Sequence, residues 1–109
     1  MLPKKNRLLS KKDFDFLKRK GFKRNSDSFD LLFLPTGNPS SRVGIIISTK
    51  ISLKAVARNK AKRKLREAIY SQLPQKGFDF LFLGKKEILT SSFSKISKEI
   101  REVFSKINA

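Results

Sequence analysis

At 109 residues the chain has room for one packed core and no second, and ten Phe within a 39% hydrophobic composition are enough to build it rather than leave a disordered basic tail. Lys and Arg outnumber Asp and Glu 26 to 9; the net charge of +17 opposes compaction and calls for a polyanion, with nucleic acid ahead of an anionic membrane surface or plain solubilising charge. The absence of Cys and His excludes disulfides, thiolate zinc and the usual neutral-pH base; no apolar run nears the ~18 residues of a membrane span, and Met1-Leu2-Pro3-Lys4-Lys5 lacks a signal core, so a cytoplasmic address is expected.

Residues 1–9 form a basic lead-in. Ser10 is a suitable N-cap, with Asp13 in the first turn of a helix over Lys11 to Lys20 and Gly21 as its stop. Phe14, Phe16 and Leu17 are its apolar residues, and Phe14 and Leu17 read as core anchors. Phe29 to Leu34 alternates as a strand, Pro35 to Ser41 is turn chemistry, and Arg42 to Ser48 is a second strand, apolar enough to be central. Together these two suggest an antiparallel hairpin. A long helix spans about Leu53 to Leu73, stopped by Pro74 and Gly77. Phe78 to Leu83 is a further strand. Residues 91–107 form an amphipathic helix with Phe93, Ile96, Ile100, Val103, Phe104 and Ile107 on its core stripe.

The long helix carries the functional signal. At 100° per residue, Ala57, Ala61, Leu65, Ala68 and Ile69 form the stripe that meets the sheet. Asn59, Lys62, Arg63 and Arg66 gather on another stripe at i, i+3, i+4 and i+7, and Arg58 extends it toward the helix start. Lys60 and Lys64 lie round the back as solvent charges. Stacked like charges destabilise a helix by a few tenths of a kcal/mol per pair, roughly. Only Glu67 relieves them locally. Phosphates reverse the sign of that cost, and Arg binds them bidentately. Asn59 is the oddity: a poor helix former whose amide both donates and accepts, suited to a base edge, a ribose hydroxyl or a metal-bound water.

The run Arg58-Asn59-Lys60-Ala61-Lys62-Arg63-Lys64-Leu65-Arg66 resembles the Arg-Asn-x-x-Lys-Arg-x-x-Arg signature of the bacterial ribonuclease P protein subunit. Leu2 to Leu8 is similar to that family's opening, Arg42 to Ile45 and Ser48 to Lys50 to the strand before its basic helix, and Phe78 to Phe80 to its last strand. The resemblance implies an α/β (α+β) two-layer sandwich: a small, mostly antiparallel four-stranded sheet in the order α-β-β-β-α-β-α, with a left-handed crossover where general rules give a right-handed one. It implies a protein that, with a catalytic RNA holding the magnesium ions, removes the 5′ leader of precursor tRNA. Neither catalytic residues nor a certain metal site are then expected in the protein, and no membrane or DNA partner. Arg58, Asn59, Lys62, Arg63 and Arg66 carry over as RNA-facing positions. A leader-binding cleft between the first helix and the sheet would involve Phe14, Phe16, Lys18, Leu32 and Lys50. Lys18 and Leu32 stand where the family commonly has aromatics, which shifts that grip toward lysines. Three rivals compete: a ribosomal or chaperone-like RNA-binding protein, a self-sufficient nuclease with clustered carboxylates, and a membrane-surface helix. Scattered acids weigh against the second, and an Ala-rich apolar stripe against the third.

Overall fold

The computed structural model describes residues 11–37, 40–73 and 77–107. Its elements are α1 (Lys11–Lys20), β1 (Phe22–Asn25), β2 (Phe29–Pro35), β3 (Arg42–Ile46), α2 (Ala55–Tyr70), β4 (Phe78–Gly84) and α3 (Phe93–Ile107), with a 3-10 turn over Lys86–Leu89. The expected order holds. Ser10 as N-cap, the opening at 2–8 and Pro74 as helix stop lie outside the described residues. β1 left no mark in the hydrophobic pattern, because its four residues carry one apolar side chain and all are exposed. Antiparallel pairing with β2 makes it a strand.

The sheet order is β1-β2-β4-β3. Two expectations about β3 therefore fail. It forms no hairpin with β2, because β4 lies between them, antiparallel to β2 and parallel to β3. It is also an edge strand and not a central one. The reason is how many faces each strand must bury. β2 offers Phe29, Leu31 and Phe33 to one side and Leu32 to the other, and β4 offers Phe80 and Phe82 against Leu81. β3 has Val43 and Ile45 for the main core, but its other face holds Arg42 and Gly44 with Ile46 as its one apolar side chain. The strands apolar on both faces take the centre, and α2 provides the crossover that parallel pairing requires.

The main core joins α2 and α3 to one sheet face: Ala61, Leu65, Ala68 and Ile69 from α2, and Ile96, Ile100, Val103 and Phe104 from α3, pack against the Phe29, Phe80 and Phe82 side. Phe93, expected on that stripe, is exposed. As the first residue of α3, its side chain leans back beyond the packed layer. α1 covers part of the opposite face, where Leu17 seals a smaller cluster with Leu32 and Leu81. Gly21 lets the chain turn from α1 into β1: a Cβ there would lie 2.5 Å from the Leu17 carbonyl oxygen.

Candidate nucleic-acid interface

α2 is held by its small apolar residues, which bring its backbone close to the sheet and fix which face remains outside. Asn59 and Arg63 stand exposed on that outer face, and Lys62 and Arg66 flank them half-buried. None of these four side chains makes a hydrogen bond or ion pair with a described residue. The helix has no acid in its first turn and no side-chain N-cap, so the positive end of its dipole is left uncompensated there.

Two basic residues differ from the sequence reading. Arg58 is half-buried, and its Nη1 donates to the Ser52 carbonyl oxygen at 2.7 Å. It pins the turn ahead of α2 as well as bordering the ridge. α2 begins at Ala55 rather than Leu53, since that turn continues to Lys54, whose N–H donates to Ser52 Oγ at 3.2 Å. Lys64 is no solvent charge: its Nζ donates to the Ser91 carbonyl oxygen at 3.0 Å and braces α2 on the turn just ahead of α3. Lys60 is exposed, as expected.

Tyr70 and Val56 are exposed on the ridge side, four residues after Arg66 and three before Asn59. The sequence reading followed charge along the helix and passed over both. The i+4 spacing of Tyr70 from Arg66 was the available signal.

The residues assigned to a leader cleft are only partly brought together. Phe14 lies half-buried against Leu17, Leu32 and Leu81. Leu32 is itself buried there and acts as a floor, not as a stacking surface. Phe16 sits about 200° around α1 from Phe14, remains 48% exposed, and does not stand in for an aromatic at position 18. Lys18 is exposed near the end of α1, and Lys50 in the turn after β3.

One ion network docks α1. Arg42 on β3 holds Asp79 of β4 bidentately, at 3.0 Å from Nε and 2.8 Å from Nη2, and reaches Asp13 of α1 at 3.4 Å. The hydrogen bonds that the guanidinium donates to Asp79, then the charges of Asp79 and Asp13, outweigh desolvation and hold it further toward its charged form. Among the described residues no three His, Cys, Asp or Glu side chains gather as a metal cage. No described helix is long and apolar enough to cross a membrane.

A family model described as Ribonuclease P matches residues 2–108. A ribonuclease P protein component of Synechococcus sp. is 34% identical over 113 residues, covering 97% of this chain and 84% of that protein. That of Nostoc punctiforme is 38% identical over 107 residues, covering 77% and 76%. The ribonuclease P protein of Thermotoga maritima shares the fold with a TM-score of 0.81 at 28% identity, covering 92% of this chain and 96% of that one. A Staphylococcus aureus ribonuclease P protein matches in fold with a TM-score of 0.82 at 22% identity, covering 94% of each chain. The matched signature of α2, the element order and the sheet thus point one way: the chain belongs to the bacterial ribonuclease P protein family, whose members are protein components of a tRNA-processing endoribonuclease.

Proposed function

We propose that this chain serves as the protein component of ribonuclease P, binding the catalytic RNA along α2 and the 5′ leader of precursor tRNA beside α1, in the cytoplasm. One observation supports this most: Asn59, Lys62, Arg63 and Arg66 form a ridge with no partner among the described residues, on a helix whose only acid is Glu67. Closely spaced phosphates would relieve the repulsion along it, with release of counterions. Asn59 adds a neutral donor and acceptor inside the ridge, for a base edge or ribose hydroxyl. Beside α1, Phe14 would offer a ring to an unstacked leader base over the Leu32 floor, and Lys18 and Lys50 would meet its phosphates. Phe16 faces elsewhere and has no part in this grip.

In this reading the hydrolysis that leaves a 5′ phosphate on the mature tRNA is carried by the RNA, and magnesium, held there, supplies the charge neutralisation for it. The chain's contribution is positional: its cations offset phosphate repulsion where RNA and substrate meet, which lowers the magnesium needed for a productive complex. The test is cleavage of a precursor tRNA by a bacterial ribonuclease P RNA at limiting magnesium. The chain should stimulate cleavage, and the double variant Arg63→Ala, Arg66→Ala should lose most of that. No stimulation by the parent chain would favour a ribosomal or chaperone-like RNA-binding protein.

A further inference from the structure

Phe22 is 58% exposed on the edge strand β1, yet its ring is not loose: it lies 5.7 Å from the Phe33 ring, tilted by 37°. The Arg24 guanidinium sits 5.6 Å from the same Phe33 ring. The pairing of Phe22 with Phe33 and Arg24 with Leu31 puts both on the sheet face opposite α1. Lys23 pairs with Leu32 and points to the α1 side. Residues 18–24 contain Lys18, Arg19, Lys20, Lys23 and Arg24 and no acid, and none of the five is in an ion pair with a described acid.

We propose that β1 is a second RNA contact, separate from the α2 ridge and the α1 cleft, that takes single-stranded RNA by stacking a base on Phe22 and placing the flanking phosphates on Lys20, Lys23 and Arg24. Stacking needs a ring backed by packing and open on one side, which Phe33 gives Phe22. None of these cations is in an ion pair with a described acid, and Arg24 meets only the Lys23 carbonyl oxygen at 3.0 Å and the Phe33 ring, so the charge on this edge complements a phosphate backbone. A duplex keeps its bases stacked on each other and offers none to Phe22. The outer backbone groups of an edge strand are also open to ribose hydroxyls. The simpler alternative is that these cations only keep the edge from pairing with another chain.

The chain has no Trp, so Phe22→Trp introduces a single Trp at the platform, excited selectively over Tyr70. Titration with oligouridylate of about ten nucleotides should quench that emission saturably, and a duplex of equal length should not. Phe22→Ala should bind the oligomer about tenfold more weakly with an unchanged salt slope, while Arg24→Ala should lower the slope by about 0.7. The quench should persist when Arg63 and Arg66 are also replaced by Ala, which separates this platform from the α2 reading. Equal affinity of Phe22→Ala and parent overturns the proposal. So does bound oligomer, seen by anisotropy, without a change in Trp emission, or equal quenching by duplex. Melting temperatures confirm that each variant folds.

Discussion

Glu99 is a buried carboxylate with a full set of donors. Its Oε1 accepts from the Ser28 N–H at 2.8 Å and from the Ser26 hydroxyl, and its Oε2 accepts from Ser28 Oγ at 2.7 Å. Ser28 Oγ also shares a hydrogen bond with Ser91 Oγ at 2.6 Å. Burial alone would push this carboxyl up, but the bonds from Ser26 and Ser28, with the charge of Lys95, hold it below its ordinary value. The unfolded chain therefore binds the proton more readily than the folded one. The stabilisation is complete above the ordinary glutamate value of about 4.3 and is lost as pH falls through the lowered folded value. Melting curves across the acid range should show parent stability falling with pH in that window. Glu99→Gln should be less stable by about 1–3 kcal/mol at neutral pH and should lose part of the acid dependence. An identical pH profile for both proteins would show that Glu99 does not contribute through its charge. The network matters because it ties the β1–β2 turn to α3, and so helps fix the edge strand that carries Phe22.

Among the elements, α1 and α2 are held in opposite ways. α1 depends on one buried side chain, Leu17, and on Arg42 reaching Asp13. Leu17→Ala should cost about 2–3 kcal/mol and make α1 the first site of limited proteolysis. If α1 stays as protected as in the parent, its docking rests on more than that anchor. α2 has a firm apolar face and an uncompensated basic one. Arg63→Ala or Arg66→Ala should therefore leave the melting temperature equal or slightly raised, while each flattens the salt dependence of RNA binding by about one unit. Asn59→Ala should leave that slope alone and reduce stimulation of cleavage. A flattened slope for Asn59→Ala would mean that it only positions its neighbours' charges.

For the molecule as a whole, a charge of +17 puts stability and binding at odds over salt. Raising KCl from about 0.05 to 0.5 M shortens the Debye length several-fold, which screens self-repulsion and phosphate attraction alike. The melting temperature of the free chain should rise while affinity for RNA falls by orders of magnitude. A melting temperature that is flat or falls with salt would mean that the cations are placed far enough apart to be tolerated. The fold separates two ways of using basic residues. Arg42, Arg58, Lys64 and Lys85 are engaged by the protein itself, through Asp79 and Asp13, Ser52, Ser91, and Asp30 with Ser26. The α2 ridge and the β1 edge are left for others.

The sequence alone determined what depends on local periodicity. The apolar stripes of α2 and α3, the alternation in β2 and β4, and the spacing of Asn59, Lys62, Arg63 and Arg66 all repeat at the period of their own element, so their faces could be read before any packing was known. The tertiary structure decided what depends on partners distant in the chain. β1 has too few apolar residues to mark itself and exists through β2. β3 took the edge because β4, some 35 residues later, is apolar along both faces, where the second face of β3 holds Arg42 and Gly44 and only Ile46 as an apolar side chain. Phe16 and Phe22 look equivalent in the sequence. Only the sheet supplies the difference, because Phe33 backs one ring and no ring of a described residue backs the other.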